Sequence, residues 1–201
     1  MNYLLPLIAV ILGYILALVI QPKKKSNLKL LLAFSGSFLL SVTVISLLPE
    51  VYETKNTTIG LYIMLGILFQ IILEFFSKGA EHGHVHGHQT ITHIPWLLFI
   101  SLCIHALLEG FPVGHHHDLA IGIAIHHLPI AIILTTFFVQ AQLNKKAIFA
   151  FMITFAMMTP LGTLASNYIP GLQEYTTEIT AIVIGILFHI STTIIFESSE
   201  G

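Results

Sequence analysis

The chain has 201 residues, of which 55% are hydrophobic and only 9% are charged. Soluble domains carry about 25% charged residues, so this composition indicates an integral membrane protein. The eight basic residues are all lysines. The net charge of −2 argues against a nucleic-acid partner. The twelve histidines outnumber the ten acidic residues. Because histidine is the commonest metal ligand among side chains, this excess favours metal handling.

Apolar stretches of about 20 residues identify transmembrane helices, and the sequence contains seven. With the N-terminus outside, only Lys55 of the eight lysines lies outside, as the positive-inside rule expects. We therefore predict an all-α, polytopic helix bundle, a single transmembrane domain over residues 1–201, in the plasma or inner membrane. The predicted helices cover roughly 3–20, 30–48, 59–77, 95–114, 118–139, 147–166 and 179–196.

The first two predicted helices differ in polarity. The first carries no ionisable side chain, so packing or lipid contact is its expected role. The second holds three serines and a threonine within 35–43, which is typical of a close helix–helix interface, with a substrate path as the alternative. Glu50 follows Pro49 at its outer end, where a plain solvated helix end and a metal entrance site are equally open interpretations.

The third predicted helix leads into a cytoplasmic, histidine-rich loop over residues 78–94. A histidine tract interrupted by glycine cannot pack into a core and is typical of loose, exchangeable metal binding, with an ordinary polar linker as the alternative. Glu74, one turn inside the cytoplasmic end of this helix, could simply reach the membrane surface. The alternating histidines of the loop are His82, His84, His86 and His88.

The stretch 105–129 carries the ionisable residues least expected inside a membrane. His105 and Glu109 are four residues apart and share one face of the fourth helix. His105 and His126 lie eleven and ten residues from the turn between helices four and five, so both are roughly 16 Å deep, about half the ~30 Å hydrocarbon thickness. His127, about 100° round the helix from His126, faces either the same cavity or a neighbouring helix.

Two imidazoles and a carboxylate suit a borderline divalent cation such as zinc, with one position left open to water. Pro112 and Pro129 interrupt the two helices beside these ligands, as in transporters that alternate access around a fixed midplane site. The alternative is a buried His–Glu pair that only joins two helices. At the outer mouth, His115, His116 and His117 either capture ions or form a solvated turn.

Two further residues stand out in the last predicted helices. Pro160, after Thr159, is expected to kink the sixth helix where neighbours or a cavity satisfy the freed carbonyl. His189 lies near mid-depth in the seventh helix, where we expect a hydrogen-bonded packing residue more than a metal ligand.

With these motifs the chain resembles the Zrt/Irt-like protein (ZIP) family of divalent metal transporters. The resemblance covers nearly the whole chain: a second helix ending in LLPE, a histidine-rich loop, HALLEG on helix four, HHLP on helix five and TPLG on helix six. The motifs on helices four and five are the specific part. The resemblance implies eight helices, inward movement of zinc, iron or manganese, and a two-metal centre between helices four and five.

Several positions depart from the family pattern. Ala106 replaces a polar residue on helix four, Ile130 replaces the last ligand of the helix-five motif, and Thr159 stands where helix six often has an acidic residue. The chain also ends just after helix seven, where the family pattern continues into an eighth.

Carried over residue by residue, the resemblance supports one metal site made by His105, Glu109 and His126, with His127 as the remaining ligand for a second. We expect a transporter rather than an enzyme, with Zn²⁺ as transported substrate and Fe²⁺, Mn²⁺ or Cd²⁺ as alternatives. The expected partners are the divalent ion and the lipid bilayer, and a homodimer is left open. Two rival functions remain: a seven-helix membrane zinc hydrolase, for which no spare mid-membrane carboxylate is evident, and a metal efflux carrier, which would usually use intramembrane aspartates.

Overall fold

The computed structural model describes residues 4–20, 25–54, 56–77, 93–114 and 116–199, and every regular element in these ranges is helical. A short 3₁₀ helix, Leu172–Tyr175, precedes the last helix. A π-helical segment, Thr43–Leu47, joins the second helix to the third without a break. The helices are α1 (Leu4–Ile20), α2 (Lys25–Val42), α3 (Leu48–Glu53), α4 (Ile59–Ser77), α5 (Trp96–Val113), α6 (His117–Gln140), α7 (Lys145–Tyr168) and α8 (Thr176–Ser199).

Six helical spans in the described ranges are long and apolar enough to cross a bilayer. The chain is therefore an integral membrane protein with an all-α, polytopic bundle, which confirms the expectation from composition. α1 is equally apolar, but at 17 residues it is shorter than these six. The six spans are Lys29–Glu53, Ile59–Ser77, Trp96–Val113, His117–Gln140, Lys145–Tyr168 and Leu172–Ser198.

The π-helical segment has a local cause in the sequence. Pro49 has no backbone N–H, so the carbonyl of Ile45 loses its usual helical donor. The wider π turn, Thr43–Leu47, lies immediately before this proline. Such bulges occur often at functional sites, and this one directs the end of the helix, with Glu50, towards the start of α6.

Glycines hold two pairs of helices in backbone contact. A Cβ atom at Gly110 of α5 would overlap the carbonyl oxygen of Thr159, and its position is 3.1 Å from Cα of Gly162 on α7. Gly66 of α4 and Gly185 of α8 meet in the same way. Small residues permit this close approach inside a membrane, where the hydrophobic effect does not drive helices together.

The helix α6 occupies the interior of the bundle and contacts α1, α2, α5 and α7. α5 in turn contacts α4, α6, α7 and α8. The ionisable side chains that α5 and α6 carry at the predicted site, His105, Glu109, His126 and His127, are all buried between these helices and their neighbours.

Candidate metal site

Glu109 is the centre of a buried polar cluster between α5 and α6. Its side chain is 0% exposed. Oε1 lies 3.1 Å from Nε2 of His105, one turn earlier on the same helix, and Oε2 lies 3.1 Å from Nε2 of His127 on α6. The carboxylate therefore bridges two imidazoles, one on each oxygen, and links the two helices.

His126 lies beside this cluster but makes no hydrogen bond to Glu109. It is 1% exposed, and its ring centroid is 6.0 Å from that of His127. Adjacent residues on a helix point about 100° apart, so His126 and His127 cannot both face the same carboxylate directly. Within the described ranges, Nδ1 of each ring is buried without a hydrogen-bond partner, an expensive condition that a bound ion or a rotated ring could relieve.

The segment of α5 that carries Glu109 is held in place by contacts with α7. Gly110 supplies the close approach to Thr159 and Gly162. The hydroxyl of Thr163 donates a hydrogen bond of 2.7 Å to the carbonyl oxygen of Gly110, so the backbone beside Glu109 has a polar partner on the neighbouring helix. The carbonyl of Gly110 lies in the last turn of α5, where helix carbonyls have no regular N–H donor four residues further on, so the hydroxyl of Thr163 supplies its partner.

Apolar side chains close the rest of the site. The ring of Phe155 on α7 lies 5.2 Å from that of His127, centroid to centroid. Leu102, Ala106 and Ile130 are buried nearby in the same core. Thr159, where the ZIP pattern often has an acidic residue, is 1% exposed, and its hydroxyl has no hydrogen-bond partner in the described part of the chain. Electrostatic interactions are strong in such buried, apolar surroundings.

No group of three or more His, Cys, Asp or Glu side chains in the described ranges is already arranged to hold a metal ion. The imidazole nitrogens of His105 and His127 are directed at carboxylate oxygens instead. Two ligand atoms of a tetrahedral zinc site lie ~3.3 Å apart, given bonds of about 2.0–2.1 Å. The separations of 3.1 Å are close to this value, so side-chain rotations alone could bring the donor atoms around one ion.

The predicted outer mouth is described in part. Nε2 of His116 lies 3.4 Å from Oε2 of Glu50, so the end of α3 and the start of α6 are joined by an ion pair when His116 is protonated. His117 is the first residue of α6. His115 and the histidines of the 78–94 loop (His82, His84, His86 and His88) lie outside the described residues.

One pairing was missed by sequence reasoning. Nε2 of His189 on α8 lies 2.5 Å from Oε2 of Glu74 on α4, across 115 residues of sequence. Each residue can be recognised in the sequence as an intramembrane polar group, but nothing local indicates that the two are in contact. The glycines Gly66 and Gly185 are the signal that could have paired their helices.

Two curated proteins are similar to part of the chain. Zinc transporter ZIP1 of Danio rerio is 25% identical over 110 aligned residues, which cover 43% of this chain and 36% of that protein. Protein zntD of Dictyostelium discoideum is 28% identical over 112 residues, covering 47% of this chain and 16% of that protein. The chain thus spans well under half the length of both relatives. No family model matches the chain, and no solved structure matches it significantly.

Proposed function

We propose that this chain transports divalent metal ions, zinc in the first place, across the membrane and into the cytoplasm. The observation that carries the proposal is the carboxylate of Glu109, fully buried in the bundle and bridged by His105 and His127. An ionisable group inside a membrane costs several kcal/mol, so a cluster of three is retained for a function that needs it. The similarity to a zinc transporter supports the same conclusion.

The proposed ligands are His105, Glu109 and His127, with His126 as a further donor beside them. A neutral imidazole binds metal through a nitrogen without a proton. Moving the proton from Nε2 to the unpartnered Nδ1 of His127 would free Nε2 for an ion without any change of charge. Nitrogen-rich ligand sets favour zinc over manganese, and Fe²⁺, Mn²⁺ and Cd²⁺ are the alternative substrates.

The proposed direction follows from charge distribution. Lys145 and Lys146 begin α7, next to the end of α6, and the positive-inside rule assigns this end of the bundle to the cytoplasm. The opposite end carries Glu50 and His116, which would meet ions arriving from outside. The ion would then pass from that mouth to Glu109 and on towards the lysines.

The test is uptake of radioactive zinc by proteoliposomes that contain the full chain. We expect His105→Ala and Glu109→Ala to abolish uptake above background. The exposed Glu174 provides the matched control, and Glu174→Ala is expected to transport as the unmodified chain does. Unchanged uptake in folded His105→Ala and Glu109→Ala protein would contradict the proposal, and net movement out of the cytoplasmic side would contradict its direction.

A further inference from the structure

Glu74 and His189 form a second intramembrane polar pair, separate from the cluster around Glu109. Their side chains keep 27% and 19% exposure, so the pair is half-buried rather than sealed in the core. The hydrogen bond joins α4 to α8. A carboxylate and an imidazole in hydrogen-bond contact are also two of the commonest zinc-binding groups.

The position of the pair along the bundle follows from the glycine contact between α4 and α8. The two helices run in the same direction, because Gly66 meets Gly185 and both Glu74 and His189 lie beyond these glycines. Glu74 is three residues from the end of α4, about 5 Å along the helix axis. Short connections reverse the chain between α6, α7 and α8, so this end of the bundle is the one that carries Lys145 and Lys146.

The pair lies towards the opposite membrane surface from Glu109. Glu109 is four residues from the outer end of α5, and α5 contacts both α4 and α8. The 18 residues of α5 are about 27 Å long, so, for neighbouring helices that end at similar depth, roughly 16 Å along the helix axes separates Glu109 from Glu74. An ion that leaves Glu109 for the lysine-bearing side therefore travels towards the depth of this pair.

We propose that Glu74 and His189 form a second divalent-cation site, which receives the ion after the Glu109 site and releases it. Its place in a transport sequence rests on the proposed function, whereas binding at the pair does not. One carboxylate oxygen, one imidazole nitrogen and water make a weaker ligand set than three protein ligands. Weak binding is what release requires, since a site on a conduction path must let the ion leave.

The alternative role, a hydrogen bond that only pins α4 to α8, predicts different behaviour on substitution. The carbonyl oxygen of Gln in Glu74→Gln can still accept a hydrogen bond from His189, so the helix contact is kept while the anionic ligand is lost. A purely structural pair would therefore tolerate Glu74→Gln with no effect on metal binding. A cation site would lose affinity although the protein remains as stable as before.

The experiment measures binding of Co²⁺ and Zn²⁺ to the purified full chain in detergent, by Co²⁺ absorption spectra and equilibrium dialysis. The starting protein carries His105→Ala, Glu109→Gln and His127→Ala, which remove the first site. It also carries alanine at the loop histidines that are expected to bind metal, His82, His84, His86 and His88. We expect it to retain one weakly bound ion. Adding Glu74→Gln or His189→Phe should lower the affinity for that ion by at least about tenfold, whereas the control Glu174→Gln should leave it unchanged. Tenfold is the smallest loss that is usual when even a hydrogen-bond partner of a metal ligand is replaced.

Two outcomes would overturn the inference. The starting protein could bind no ion, or it could bind an ion with an affinity that neither Glu74→Gln nor His189→Phe changes. Neither depends on transport. The transport proposal fails on a different measurement: zinc uptake that is unchanged in Glu109→Ala protein that keeps Glu74 and His189.

Discussion

Nε2 of His127 and Oε2 of Glu109 lie 3.1 Å apart although 18 residues separate them in sequence. This contact joins the two arms of the α5–α6 hairpin at the depth where the sequence places its buried charges. It also answers the question left open by sequence, because His127 rather than His126 is the residue of α6 directed at the carboxylate.

Replacing His127 is expected to destabilise the chain more than replacing its neighbour. In His127→Phe the ring volume is kept but Oε2 of Glu109 loses its partner, and leaving a buried polar group unsatisfied costs about 1–3 kcal/mol. His126→Phe removes a ring whose Nδ1 has no partner in the described ranges, so its loss should be smaller. Thermal unfolding in detergent without added metal compares the two, and equal losses would argue against a special role for the His127 contact.

The hydroxyl of Thr163 should contribute measurably to stability. Thr163→Val removes the hydrogen bond to the carbonyl of Gly110 and is expected to lower the free energy of unfolding by about 0.5–1.5 kcal/mol. Thr135→Val is the matched control, because the hydroxyl of Thr135 is buried and has no partner among the described residues. Denaturant titration should find Thr135→Val neutral or stabilising, and a larger loss there than at Thr163 would contradict the assignment.

The α5–α7 contact should not tolerate an added methyl group. Gly162→Ala would overlap the carbonyl of Leu107, forcing α7 away from the helix that carries Glu109. We expect a destabilisation of about 1–3 kcal/mol, as for other overpacked cores. In Gly60→Ala the nearest atom to the new methyl is the Tyr52 hydroxyl at 3.7 Å, so it should be harmless.

Zinc affinity of Gly162→Ala should fall together with stability, because the shift displaces Glu109 from its histidine partners. Retention of full affinity in the destabilised protein would show that α5 places Glu109 independently of α7.

The Glu50–His116 pair should affect ion capture rather than turnover. Glu50 is 58% exposed, and exposed ion pairs are worth about 1 kcal/mol at most, so Glu50→Gln should raise KM for zinc by no more than about fivefold. The effect should shrink as ionic strength rises, because exposed charges are screened by salt. Uptake kinetics at low and high salt measure both, and a fall in kcat would instead place Glu50 in a later step.

Sequence reasoning places His105 and Glu109 correctly on one face, since that relation depends only on helical periodicity. It is less informative about α6. His105 and His126 are at equal depth when residues are counted from the turn, but depth does not specify which way a side chain points round the helix axis. The carboxylate contact of His127 depends on the rotation of α6, which its packing against α1 and α2 decides.

The continuous helix formed by α2, the π-helical segment and α3 also has one feature that the sequence predicts and one that it does not. Pro49 marks a disturbance in the sequence, and the π-helical turn before it is the response of a helix that cannot form one of its hydrogen bonds. The pairing of Glu50 with His116 depends on where the start of α6 lies relative to α3, and local sequence does not contain that information.

Hydropathy and helical period act over a few neighbouring residues. The membrane class, the all-α architecture and the concentration of ionisable residues on α5 and α6 could therefore be predicted without the fold. The folded bundle, by contrast, is needed to show that Glu109 lies between His105 and His127, and that Glu74 contacts His189. Both relations depend on helix rotation and on backbone crossings at glycines, which are set by packing between segments as many as 115 residues apart.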